Sequence, residues 1–198
     1  LLSAEGLIIS SRGRGTYVSA ETTTPTSSTK LISQLEQSCQ TLKILEIQGP
    51  APLPRALLGE DKAFEEYHCI RKLRCHNETP YCLMDIYVQS TVFRAFSTEE
   101  ISGTPIAALV STYSDDPIAH ARQSLTVGSA DYETSQHLDC SMAAPVAEVD
   151  RAFLNEDGYL LSRGHYLYRG DLFLLETEHT GDPLEDMTYG WMADVRGD

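Results

Sequence analysis

No run of apolar residues in this 198-residue chain approaches the ~20 that a membrane-spanning helix needs. The start, Leu1-Leu2-Ser3-Ala4-Glu5-Gly6, has no initiator methionine and no basic-then-apolar order of a secretion signal. It reads as a chain that begins partway through a longer protein. Cysteine is sparse: Cys39, Cys69, Cys75, Cys82 and Cys140 are an odd number with no C-x-x-C pair. That pattern argues against a disulfide framework and fits no zinc spacing, so no metal and no cofactor are expected. The thiols read as small buried apolar residues in a reducing, cytoplasmic setting. Cations are short as well. Fifteen Lys and Arg stand against 29 Asp and Glu, a net charge of -14, which speaks against this portion embracing nucleic acid by itself. Catalytic signatures are missing too: there is no G-x-S-x-G and no phosphate-binding glycine loop.

What is present centres on residues 65–88. Two β-rich runs, 66–76 and 81–88, flank Asn77-Glu78-Thr79-Pro80, which signals a hairpin. With the turn over 77–80, Lys72 faces Asp85 and His76 faces Tyr81. Side chains alternate between faces with period two. One face then holds a cationic row, Lys72 and Arg74, with tyrosines and Asp85. The other, with Cys69, Leu73, Cys75, Cys82 and Met84, reads as core. A cationic row in so acidic a chain is where a bound anion is expected. The competing reading is that Lys72 and Arg74 line the solvated side of an antiparallel sheet. His68, His76 and Asp85 are the acid–base candidates here, and nothing pairs them, so no enzyme activity is expected.

The rest of the chain supplies more strands than helices. Residues 7–9 and 16–18 are β-rich around a basic, glycine-rich tip, Arg12-Gly13-Arg14-Gly15. Glycines at a tip permit close backbone approach, and arginines there suit a phosphate backbone. The Thr/Ser/Pro-rich stretch 20–28 reads as a linker and 30–38 as a short helix. Residues 41–48 form a strand, 55–58 a helical turn, and 90–100 short helical turns. Residues 103–113 form a helix with Thr104 as N-cap and Pro105 at its first position. Strands follow at 117–128 and 145–155, with a helix at 130–138 between them. Asp157-Gly158 turns into a strand at 160–169, and 172–176 closes the sheet. The acidic stretch 179–198 reads as a tail. The expected fold class is α+β, a mainly antiparallel sheet flanked by helices.

The stretch Glu5-Gly6-Leu7-Ile8 followed by Gly13-x-Gly15-Thr16-Tyr17-Val18 resembles the wing of the winged helix-turn-helix head in GntR-family transcription regulators. Behind the linker, three local patterns resemble the UTRA effector-binding domain of the HutC subfamily. They are Lys72-Leu73-Arg74 with the turn to Pro80, the helix start Thr104-Pro105 through Leu109, and the closing strand from Asp157-Gly158 to Tyr168-Arg169-Gly170-Asp171.

The resemblance implies a wing at 1–19, a linker at 20–28, an effector domain at 29–178 and a tail at 179–198. It implies a chorismate-lyase-like fold without lyase activity, and a ligand-responsive bacterial regulator, a repressor, acting as a homodimer on operator DNA. In that family the wing tip touches DNA, here Arg12, Gly13, Arg14, Gly15 and Thr16. A small anionic metabolite binds between sheet and helices, at positions matching Lys72, Arg74, Asp85, Thr104, Ser162 and Tyr168. Ser162 and Met84 stand where some members have acids, which argues against a sugar-phosphate effector. The alternative is an enzyme using the same scaffold on a small molecule, for which a wing would have no use.

Overall fold

In a computed structural model, the structure describes residues 8–11, 15–18 and 40–175. They fall into two units: a short strand pair near the start, and a domain that runs to Leu174. In the first, β1 (Ile8–Ser11) pairs antiparallel with β2 (Gly15–Val18), Ile8 opposite Val18. The hairpin expected there is present. Arg12, Gly13 and Arg14, the linker at 20–28, the helix at 30–38 and the tail at 179–198 lie outside the described residues.

The domain is one six-stranded antiparallel sheet. Its strands are β3 (Gln40–Ala51), β4 (Tyr67–His76), β5 (Thr79–Gln89), β6 (His120–Ser129), β7 (Pro145–Leu154) and β8 (Leu160–Arg169). Their spatial order is β3-β4-β5-β8-β7-β6. The α+β expectation therefore holds, and the architecture is the chorismate-lyase-like one. The final strand expected at 172–176 is not one: residues 173–175 are irregular, and Phe173 instead packs its ring on Tyr168 at 5.3 Å.

The helices are short and sit in the connections. α1 (Arg55–Leu58) follows β3; α2 (Ser90–Phe93), α3 (Thr98–Gly103) and α4 (Ile106–Tyr113) link β5 to β6; α5 (Tyr132–Leu138) links β6 to β7. α3 starts on a reciprocal capping box. Ser97 Oγ accepts from the Glu100 amide, and the Glu100 carboxylate accepts from the Ser97 amide. Tyr113 Oη then donates to the same carboxylate at 2.5 Å, tying α4 to α3. α5 is capped by Asp131, whose side chain accepts from Thr134 N at 2.7 Å.

The hairpin register departs from the sequence expectation. The turn is two residues, Asn77 and Glu78, both left-handed at φ 47° and 67°, so His76 pairs with Thr79. A bulge at Arg74/Cys75 then leaves Tyr81 as the extra residue, and beyond it Arg74 pairs with Cys82, Lys72 with Met84 and Arg71 with Asp85. A one-residue slip exchanges the faces of a whole strand. Lys72 and Arg74 therefore share a face with the apolar set Cys82, Met84, Ile86 and Val88, which α2, α3 and α4 cover. The cysteines divide accordingly. Cys82 lies on this face, while Cys75 packs with Leu73, Leu83 and α5 residue Leu138 on the other.

The second face is closed at both ends and polar in the middle. At one end α5 covers Leu73 and Leu83; at the other, the segment around α1 covers Tyr67, Ala152 and Leu160. Tyr67, 2% exposed, donates its hydroxyl to Leu160 O at 2.8 Å and accepts from Phe64 N at 3.0 Å. One phenol thus ties the approach to β4 onto β8. Tyr67→Phe leaves both groups without this partner and lowers stability by about 1–3 kcal/mol in urea unfolding, with the slope of the transition unchanged.

Candidate ligand-binding site

A cleft of about 300 Å³ opens between the β3–β4 end of the sheet and the α3–α4 junction. Thr41 and Leu42 of β3, Arg74 of β4, and Ser102, Gly103, Thr104 and Pro105 line it. Two expected site residues, Arg74 and Thr104, meet here. Thr104 arrives by a different route from the one expected. It closes α3, its amide donating to Glu100 O at 2.8 Å, and Pro105 rather than Thr104 stands at the N-cap of α4. No side chain caps α4, and Thr104 lines the cleft.

Lys72 sits beside this cleft, two residues from Arg74 on the same strand face. It is 1% exposed, and its ammonium donates to Ile101 O in α3. No carboxylate among the described residues pairs with it. Burial, and then the neighbouring Arg74 charge, lower its pKa to about 8. An ammonium has three donors, and one backbone carbonyl answers only one of them. A buried cation without an acid is expensive to hold, and a bound anion would relieve it.

The other expected residues are distributed differently. Asp85 lies on the opposite face, where Arg71 donates to both its oxygens at 2.7 and 3.0 Å. The slip in register put it there, so it shares no cleft with Lys72. Ser162 is on the Lys72 face but pairs with Val88 and Phe153, far along the strands from Arg74, and is 2% exposed. Tyr168 pairs with Cys82, which pairs with Arg74, so it stands two strands from Arg74 in the same row. Gly15 and Thr16 of the expected wing tip begin β2 in the other unit.

Sequence reading passed over Arg151. It occupies a strand position otherwise given to Ala147, Val149 and Phe153, and the one charged residue in that inward series was the available signal. The acid–base candidates are scattered. His68 stacks on Phe93 at 4.2 Å and meets Ser90 Oγ at 3.0 Å, Asp85 is on the far face, and His76 is at the hairpin tip. Among the described residues no group of three or more His, Cys, Asp or Glu could hold a metal ion. No described helix is long and apolar enough to cross a membrane.

Residues 37–173 match the UTRA domain family. The chain belongs to that family. Solved structures share the fold. A possible transcriptional regulator, YydK from Bacillus subtilis, is 20% identical at a TM-score of 0.61, over 90% of this chain and 78% of that one. The ligand-binding domain of a proposed GntR-family regulator from Bordetella bronchiseptica is 21% identical at 0.56, over 72% and 88%. A GntR-family transcriptional regulator from Enterococcus faecalis is 15% identical at 0.61, over 70% and 99%. No curated protein matches this UTRA chain.

Lys72 gives the site a pH signature. Its folded pKa, about 8, lies below its ordinary value of 10.5, so between these values the unfolded chain holds the proton and the folded chain releases it. Stability then rises with pH across that window. Lys72→Met removes this rise: the mutant is the more stable form at pH 7, and its advantage shrinks as urea titrations move from pH 8 to pH 10.5.

Proposed function

We propose that this UTRA domain is the sensing part of a bacterial transcription regulator of the GntR family, HutC subfamily, and that it binds a small anionic metabolite. The observation that carries the reading is Lys72, a buried ammonium with no acid partner among the described residues, beside a cleft lined by Arg74 and Thr104. Lys72 supplies a compact charge, Arg74 a planar fork suited to a carboxylate or phosphate, and Thr104 a hydroxyl. The relatives named above carry regulator descriptions, and the sequence around the hairpin of β1 and β2 resembles the wing of such regulators. On this reading 1–19 ends a winged-helix head, 20–28 links it to the effector domain at 29–178, and 179–198 is a tail. The protein acts as a homodimer, a repressor, with one head on each operator half-site. No observation favours catalysis.

Control follows from differential binding. The cleft joins β3 and β4 to the α3–α4 junction, so an anion held there favours the arrangement that brings these parts together. It changes DNA affinity to the extent that it binds one head arrangement better than the other. In thermal-shift measurements, small carboxylates, phosphate and phosphonates from the correct class raise the melting temperature with concentration; at 100 times Kd the gain is ~2.7 kcal/mol. Arg74→Ala removes that rise. In the full-length regulator it leaves operator affinity within about twofold while abolishing the effector response. A dose-dependent rise identical in wild type and Arg74→Ala excludes this site.

A further inference from the structure

The two edges of the sheet are built differently. β3 is irregular and charged. Its pairing with β4 shifts register twice, between Ile44 and Glu46 and between Gln48 and Ala51, and it carries Lys43, Glu46 and Pro50. Bulges, charges and proline are the means by which an edge strand refuses a further strand. β6 lacks most of them. Its ten residues pair with β7 without a shift, contain no proline and no acid, and have Arg122 as their one permanent charge. Among the described residues no strand lies on its outer side. A long, regular, lightly charged edge is a template for pairing.

The backbone of β6 presents its free groups in register. The Ala130 amide donates to Ala144 O, and Ala130 O accepts from Ala143 N, so both groups of Ala130 face the β7 side. Pro145, one step along, turns its carbonyl the other way to accept from Gly170 N. The amide and carbonyl of an antiparallel strand residue point to one side, and the side alternates along the chain. Ala121, Gln123, Leu125, Val127 and Ser129 therefore turn their amides and carbonyls outward. Apolar surface gathers at the same edge. Among the described residues the three most exposed large apolar side chains are Val127 at 77%, Tyr132 at 71% and Met142 at 69%. Val127 is on β6; Tyr132 and Met142 lie just past its end, where Ala143 and Ala144 bond to Ala130.

We infer that β6 is the dimer interface: two copies of the chain pair their β6 strands antiparallel about a two-fold axis at Leu125, joining two six-stranded sheets into one. This rests on the homodimer of the reading above and goes beyond it by naming the surface. The axis sets Leu125 opposite Leu125, Gln123 opposite Val127 and Ala121 opposite Ser129, which matches outward backbone groups with outward ones. On the other face Arg122 stands opposite Gly128 of the second copy. The Glu148 carboxylate lies over that glycine, where a Cβ would come within 1.9 Å of its Oε1. Arg122 holds Asp61 of its own chain through Nη2 alone, and a guanidinium has further donors to offer. Each copy thus brings a cation to the other's acid, and no like charges stand opposite one another. A two-fold contact closes on itself, whereas β6 on β3 would repeat without end. β3 lines the cleft and is the far edge of the sheet, so this pairing leaves both clefts open.

The test is sedimentation velocity of the full chain over a wide range of concentration. The expected result is a monomer–dimer equilibrium with no larger species. Val127→Lys, at a site already open to solvent, keeps the circular dichroism spectrum and raises the dimer dissociation constant about tenfold or more, while Ile47→Lys on β3 leaves it within about twofold. Leu125→Cys brings two thiols to the axis, so a short bismaleimide joins the copies in far higher yield than it does the wild type; this readout serves where Val127→Lys does not fold. A wild type that stays monomeric at every concentration overturns the interface and the homodimer together. A dimer that Val127→Lys leaves intact, and that the bismaleimide joins no better at Leu125→Cys, overturns the β6 interface and leaves the homodimer standing. Equal loss of dimer in Val127→Lys and Ile47→Lys, or growth beyond the dimer, overturns the two-fold pairing.

Discussion

One pairing decides what this domain can bind: Arg71 stands opposite Asp85. Their bidentate contact lies on the face that carries the acids, and in a sheet each neighbour along the strand must then point the other way. Lys72 is thereby turned under the helices and Asp85 away from it. Had the strands slipped by one residue, Lys72 would face Asp85 and be neutralised by it. The two-residue turn and the bulge that inserts Tyr81 set this register, and the ion pair secures it.

The same pairing begins a row across the far face. Glu46 is opposite Arg71, Asp85 is opposite His165, and His165 is opposite Asp150. Acids and bases alternate in this row, and Arg71 reaches further to Glu133 on α5. Opposite charges placed directly across strands stabilise a sheet modestly, so the row is cohesive without being decisive. Its main consequence is a division of labour. Three of the acids on this face stand opposite bases, while Lys72 on the other face bonds to a helix carbonyl. Cohesion and binding capacity thus come from one alternation, read on its two sides.

The hairpins, most strand limits and the order of helices were legible because alternation and turn residues are local. The residues 160–169 were read as a strand to the residue, and the strands at 41–48 and 145–155 came within three residues at each end. What failed was non-local or smaller than a period. Thr104 looks like an N-cap, yet the Glu100 carbonyl claims its amide and makes it the end of α3. Asp85 was assigned to the wrong face because the bulge at Arg74/Cys75, which inserts Tyr81 and shifts the register by one, leaves no mark in the alternation. Ser162 was matched by pattern to a ligand position, but the row it occupies ends far from Arg74. Leu172 and its neighbours look like a strand, yet β8 already has β5 and β7 on its two sides. Arg151 was missed because the groups it meets, Gln123 and Tyr166, come from other strands, which no short window along the chain contains.

Lys72 also explains why the helices over this face are short. A continuous helix satisfies its own carbonyls up to its last turn. Breaking the segment into α3 and α4 leaves the Ile101 carbonyl, in the last turn of α3, available to an ammonium that rises from the sheet beneath it. The break also places Ser102, Gly103 and Thr104 on the wall of the cleft, where one long helix would present a closed surface. The buried lysine therefore bonds directly to the helix junction that a ligand would touch. An anion arriving at Arg74 changes the field at Lys72, and Lys72 is hydrogen-bonded to the end of α3. Binding and helix placement are then coupled through one ammonium and one carbonyl, a physical link short enough to need no chain of intermediates.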